Sequence, residues 1–373
     1  MNNPFRPIVI HQPARLEVGA GTVAKVGEFV GERSAFVITA PPVVGHVERL
    51  GLKGTYEVFS DTPAEPNEVA LEALLAIAEK LKPEVIIGLG GGSVMDLAKL
   101  VAVMWDRKQS LEEIVGPNKV AAKLSALVQV PTTAGTGSEA GIRALVTNSQ
   151  TNGKMAVESA HMRADMAILD ATLTASVPPA VTAATGVDVM AHCVEAFTNI
   201  NAHSMIDDYA RMGIKLVGRY LKRAVANGDD LEAREGMMLA SYYGGICLGP
   251  VNTAAGHALA YPLSTQLKLP HGLANALIFP HVLAFNQPMV AEKTQEVLAA
   301  LGLEASADPQ AVLTQAYGFC ESLGIPMALS AHGATVEALG AMAAEAHGIR
   351  RLMDNNPKPM SQDEVLALYQ NAL

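Results

Sequence analysis

The stretch VIIGLGGGSVMDLAK, residues 85–99, decides the fold. A continuous apolar run, VIIGLG, stops at three consecutive glycines, and SVMDLAK then starts a helical pattern. An apolar run of this length that ends in glycines and leads into a helical pattern reads as a strand. Glycines at its end let the chain turn tightly and let an anion come close to the backbone. The amide N–H groups that open the next helix then point at that anion. The spacing Gly88, Gly90, Ser93 narrowly misses G-x-G-x-x-G, so this turn taken alone is a weak signal, and an ordinary strand-to-helix connection is the other reading.

Working outward, the same alternation recurs. SAFVITA (34–40) and TYEVFSD (55–61) read as strands, VVGHVERLG as a short helix, and NEVALEALLAIAEKLKP as a helix with a basic last turn. SALVQVP (125–131) is another strand. It runs into PTTAGTGSEAG (131–141), whose hydroxyls and glycines form a second candidate nucleotide loop. Alternating strands and helices predict βαβ units and a mostly parallel sheet. Two such turns after successive strands are better explained by one ligand at the sheet's carboxyl edge than by coincidence.

The pattern changes near Ser176–Pro179. Beyond it, VPPAVTAATGVDVMAHCVEAFTN, SMIDDYARMGIKLVGRYLKRAVAN, LEAREGMMLASYYGGI, VEALGAMAAEAH and SQDEVLALYQNAL all read as helices. The expectation is a Rossmann-like α/β domain over residues 1–178 and an all-α domain over 179–373.

Composition limits the function classes. The chain has 373 residues, is 50% hydrophobic and 17% charged, and carries a net charge of −10. A compact enzyme fits these values, whereas nucleic acid or an anionic membrane surface is a poor partner for an acidic chain without a basic run. No secretory leader is apparent at the start. Three scattered cysteines, Cys193, Cys247 and Cys320, offer neither a disulfide framework nor a CxxC pair, which suits a reducing, cytoplasmic setting. The charge-free run 236–267 is long enough to span a bilayer, but Gly244, Gly245, Gly249, Pro250, Gly256 and Pro262 interrupt it, so it reads as buried core.

That run leads into GHALAYPLSTQLKLPHG (256–272), which places His257 and His271 in apolar surroundings. Upstream, TGVDVMAHCVEAF puts Asp188 and His192 four apart, on one helical face. Each pair alone is readable as a surface ion pair or a hydrogen-bonded core histidine. Together, one carboxylate and three imidazoles form a tetrahedral-type donor set for Fe²⁺ or Zn²⁺, and a shared cation would offset the cost of burying them. His161, His203, His332 and His347 sit among polar or small residues and are expected to be exposed. His281 is expected at a helix start.

With these motifs in order along the chain, together with NNPKPMSQDEV at 355–365, the sequence resembles the iron-containing (group III) alcohol dehydrogenase family. The resemblance implies a Rossmann-like domain and a helical domain, with nucleotide and metal in the cleft between them. It implies Asp188, His192, His257 and His271 as metal ligands. It places Gly91, Gly92 and Ser93 at the cofactor pyrophosphate, and Asp96, Thr132, Thr133, Thr136 and Lys154 among the cofactor-binding residues. It also suggests a homodimer through the N-terminal segment.

Two departures from the family pattern matter. Many members carry a proton-relay histidine where this chain has Tyr261, which either passes a proton less readily near neutrality or only shapes the pocket. Many also end the first strand with an Asp that binds the adenosine ribose. Here Ala40 and Pro41 stand there, so NAD, NADP or both are admissible. The expected activity is reversible hydride transfer between a nicotinamide and an alcohol or carbonyl polarised by the metal. The related alternatives are a hydroxyacid–oxoacid transhydrogenase, a maleylacetate-reductase-like enzyme, and dehydroquinate-synthase-like or glycerol-dehydrogenase-like chemistry, the last two requiring more basic residues and a different metal spacing. A non-catalytic nucleotide-binding protein is the reading from a different class.

Overall fold

The computed structural model describes residues 4–149 and 153–373. Two compact units emerge: Ile10–Ser176, and Val177–Leu373 together with the segment up to Val9.

The first unit is built on a six-stranded sheet. Its strands are β1 (Arg15–Val18), β2 (Ala35–Ile38), β3 (Tyr56–Phe59), β4 (Val85–Gly90), β6 (Ala126–Pro131) and β9 (Met166–Leu169). They lie in the order β1-β9-β6-β4-β2-β3, and every neighbouring pair is parallel. The fully apolar strands are buried on both faces because helices cover both. Ile86 and Leu127 pack with Leu74 and Leu97 on one side. Ile87 and Val128 pack with Val26 and Leu50 on the other. The single-residue alternation between these clusters is the period of two expected of a strand.

The connecting helices are α1 (Lys25–Val30), α2 (Glu68–Leu81), α3 (Gly92–Met104) and α4 (Leu111–Ile114). Asn67 starts α2 by accepting the Ala70 N–H at 2.9 Å, a standard N-cap contact. The short helix expected over VVGHVERLG lies within a 3-10 run, Pro41–Leu50. Two prolines at its start supply fixed φ but no N–H for a regular helical ladder. A second, three-stranded sheet, absent from the sequence reading, orders β5 (Gly116–Pro117), β8 (Lys154–Glu158) and β7 (Arg143–Thr147), with β7 and β8 antiparallel.

No strand occurs among the described residues after Leu169. The second unit is helical: α5 (Pro179–Thr198), α6 (Ser204–Ala226), α7 (Leu231–Leu248), α8 (Ala255–Gln266), α9 (His271–Asn286), α10 (Ala291–Ala300), α11 (Pro309–Glu321), α12 (Val336–Gly348), α13 (Arg350–Met353) and α14 (Gln362–Ala372). Small residues let its first helices approach closely. A Cβ on Gly186 of α5 would lie 2.2 Å from Leu221 of α6, and one on Gly213 of α6 would lie 2.4 Å from the Cys193 sulfur of α5. Among the described residues no helix is long and apolar enough to cross a membrane.

Two histidine expectations are corrected. His281 lies inside α9 rather than at a helix start; it is buried, and burial pushes its imidazole down to about 4. His203 is buried rather than exposed, because its Nδ1 caps α6 by accepting the Met205 N–H at 3.2 Å. All three cysteines are buried and unpaired, and burial pushes the thiols of Cys193 and Cys320 up to about 12.

Candidate functional site

Asp188 and His192 project from the middle of α5, His257 from the first turn of α8 and His271 from the first position of α9. Each of the four offers one donor atom, and these atoms all lie within 4.8 Å of one another. Asp188 Oδ1 is the hub, 3.8 Å from His192 Nε2, 3.6 Å from His257 Nε2 and 3.9 Å from His271 Nε2. A tetrahedral ion with bonds of about 2.1 Å holds its donors about 3.4 Å apart, so small adjustments would close the set around one cation. The rings of His192 and His257 stack with centroids 4.7 Å apart, and His257 and His271 lie 5.4 Å apart.

The electrostatics favour a cation here. Asp188, His192 and His257 are buried, while His271 is half-buried. Burial alone would raise the Asp188 carboxyl, but His192, His271 and His257, with the Asn275 hydrogen bond, hold it below its ordinary value. Burial drives His192 down to about 4 against the pull of Asp188. For His257 the burial penalty is outweighed by Glu195 and Asp188, and its value rises. His257 Nε2 is buried without a hydrogen-bond partner, a state that costs about 1–3 kcal/mol unless something accepts its lone pair. The donor chemistry and this orphaned nitrogen fit a divalent metal.

Two residues absent from the sequence reading complete the surroundings. Asn275, one turn into α9, donates from Nδ2 to Asp188 Oδ1 at 2.7 Å and lies 3.1 Å from His271 Nε2. Glu195, one turn past His192 on α5, meets the ring of His257 at Nδ1, 2.9 Å away. The spacing of Glu195 from His192 was visible in the sequence, but its partner 62 residues away was not. Tyr261 is half-buried. Its ring lies 5.9 Å from that of His271, and its hydroxyl accepts from Arg351 at 3.3 Å.

In the α/β unit, the turn after β4 and the loop after β6 meet each other. A Cβ on Gly92 would lie 2.6 Å from the Thr136 methyl, and one on Gly91 would lie 3.5 Å from Thr133 Oγ1. The buried Thr132 pairs its N–H with Gly90 O at 3.0 Å. Gly91 caps the 13-residue helix α3 without a side-chain hydrogen bond, and amides that open a helix in this way suit an anion. Three of the expected cofactor residues spend their polar groups elsewhere. Ser93 Oγ donates to Ala64 O. Asp96 accepts from Ser138 Oγ at 2.6 Å and Leu145 N at 2.9 Å, which ties α3 to the 131–141 loop. Lys154 Nζ pairs with Glu65 and donates to Thr147 Oγ1 at 2.9 Å.

Comparison with known proteins matches residues 13–171 to the iron-containing alcohol dehydrogenase model and residues 182–373 to the Fe-containing alcohol dehydrogenase family, C-terminal, model. The chain belongs to the iron-containing alcohol dehydrogenase family. Among its relatives is long-chain-alcohol dehydrogenase 1 of Geobacillus thermodenitrificans, 35% identical over 92% of this chain and 90% of that protein. The solved structure of a 1,3-propanediol oxidoreductase aligns with a TM-score of 0.93 at 27% identity, covering 99% of this chain and all (100%) of that one. That of a sulfoacetaldehyde reductase from Bifidobacterium kashiwanohense in complex with NAD+ aligns with a TM-score of 0.89 at 28% identity, covering 98% of each. This family member therefore has the expected fold: a parallel α/β unit and a helical unit.

Proposed function

We propose that this chain is a nicotinamide- and metal-dependent oxidoreductase that interconverts an alcohol with its aldehyde or ketone. The observation that carries the reading is the convergence of one carboxylate and three imidazoles within 4.8 Å, with His257 Nε2 buried and unpartnered. Asp188, His192, His257 and His271 would hold Fe²⁺ or Zn²⁺. When bound, the metal supplies Lewis acidity to the substrate oxygen. The cofactor supplies C4 of the nicotinamide as hydride donor or acceptor. The family relative solved with NAD+ supports that cofactor class.

The chain's own residues do the rest. The amides that open α3 and the glycines at 91 and 92 would bind the pyrophosphate, with Thr132, Thr133 and Thr136 beside them and Ser93, Asp96 and Lys154 holding the local structure or adding contacts. Asn275 holds Asp188 Oδ1, so the carboxylate presents a fixed oxygen to the donor set. Tyr261 Oη accepts from Arg351, which leaves its own proton free to point elsewhere, and the reading assigns it the proton transferred with the substrate hydroxyl. β1 is an edge strand with Leu16 and Val18 exposed, which supports a homodimer through the N-terminal segment.

The test is NAD(P)H oxidation with a panel of aldehydes, ketones and keto acids, using Fe²⁺- or Zn²⁺-reconstituted protein. Turnover of simple aldehydes supports the reading. No turnover of any carbonyl by metal-loaded protein would sink it.

A further inference from the structure

We propose that Glu195 is the positioning residue that selects the His257 tautomer and aims its Nε2 at the metal. The proposal rests on the metal reading above.

Glu195 is 6% exposed, so its carboxylate depends on protein donors rather than water. Three converge on it. Oε1 accepts the His257 backbone N–H at 3.1 Å and lies 2.9 Å from His257 Nδ1; Oε2 accepts the Ala254 N–H. Ala254 is the N-cap of α8 and supplies no side-chain cap of its own. Glu195 thus satisfies amides at the start of α8 from a different helix, at the end where a negative charge is favoured.

The same carboxylate controls the ring. A neutral imidazole has one N–H and one lone pair. Because a carboxylate only accepts, the N–H must sit on Nδ1, and the lone pair is left on Nε2. That nitrogen is the one 3.6 Å from Asp188 Oδ1 and without a hydrogen-bond partner. A carboxylate on the far nitrogen also makes an imidazole a better metal donor. Gly256 makes the approach feasible, since a Cβ there would lie 2.2 Å from Glu195 Oε1. One side chain therefore fixes where α8 begins and which nitrogen of its histidine faces the metal.

Glu195→Gln separates the two roles. An amide keeps the shape but offers one acceptor and one donor to three donors. If its NH2 faces His257 Nδ1, the ring must move its proton to Nε2, the nitrogen the metal needs. The expected result is a loss of Co²⁺ affinity of about 10–100-fold, measured by competition with a chromophoric chelator. The visible spectrum of the Co²⁺-loaded variant should change, and Gly256→Ala should weaken Co²⁺ binding in the same direction. Glu195→Leu removes the acceptor whichever way an amide would face, so wild-type Co²⁺ affinity in both variants overturns the proposal, even if the metal-free proteins melt earlier, because Glu195 would then be only a helix cap. A second measurement needs no variant. Nitrogen-15 NMR of metal-free wild type at alkaline pH should show His257 protonated on Nδ1, and protonation on Nε2 overturns the proposal. A wild type that binds no metal at all would instead defeat the metal reading, and the NMR result would still report on the tautomer.

Discussion

At the residue scale, Glu139 shows what burial does to a charge in the α/β unit. It is 2% exposed, and its Oε2 lacks a hydrogen-bond partner. Burial pushes its carboxyl up to about 7, against its own backbone N–H and the nearby Lys99. Lys99 is itself buried and spends its ammonium on Ser138 Oγ at 2.6 Å and Arg143 O at 2.7 Å. Because the folded value lies above the ordinary 4.5, the group's contribution is fully present below about pH 4.5 and is lost as pH rises through 7. The loss is at most on the order of 3 kcal/mol. Thermal melts of wild type and Glu139→Gln should therefore diverge between pH 5 and pH 8, with the variant relatively more stable at the alkaline end. A gap independent of pH would contradict the assignment. Tyr261 gives the second prediction at this scale. Tyr261→Phe should lower kcat by about 100-fold, in the range of a lost general acid–base group, with metal content unchanged. An unchanged kcat would make the ring pocket lining only.

At the scale of elements, the glycine turn and the 131–141 loop act as one unit, because Gly92 and Thr136 leave no room between them. Gly92→Ala should force them apart and raise the KM for the nicotinamide cofactor at least about 10-fold, a loss of roughly 1.4 kcal/mol of binding. Metal content should be unaffected, since the four donors lie on α5, α8 and α9. Equal KM values would show that this turn does not hold the cofactor. The elements also show what could be read from the chain alone. Asp188 and His192 were legible because i and i+4 share a helical face. β4 and α3 were legible because an all-apolar run ended in glycine. Glu195 and Asn275 were not assigned, because their partners are 62 and 87 residues away and only tertiary packing brings them together. The place of His281 within α9 is not legible, because α9 is buried nearly all round and its sequence shows no amphipathic period to mark where the helix starts. The second sheet has no comparable signal in the sequence, because one of its strands, β5, has two residues.

At the scale of the whole molecule, the proposed function places cofactor choice at the end of β2. Ala40 follows the strand in extended conformation and carries no carboxylate, so nothing at this position repels a 2′-phosphate. Comparable kcat/KM for NADH and NADPH is the expected outcome, and a strong preference for NADH would place the discrimination on other residues. The helical unit gathers one charged cluster from α5, α8 and α9 into an apolar interior, an arrangement that makes physical sense around a cation. The most direct measurement is metal content and NAD(P)H-dependent aldehyde reduction on the same samples of wild type and Asp188→Ala, before and after chelation. One metal per wild-type chain, little in the variant, and activity that disappears with the metal and returns on adding Fe²⁺ or Zn²⁺ is the predicted result. Undiminished reduction by metal-free wild type would contradict the account.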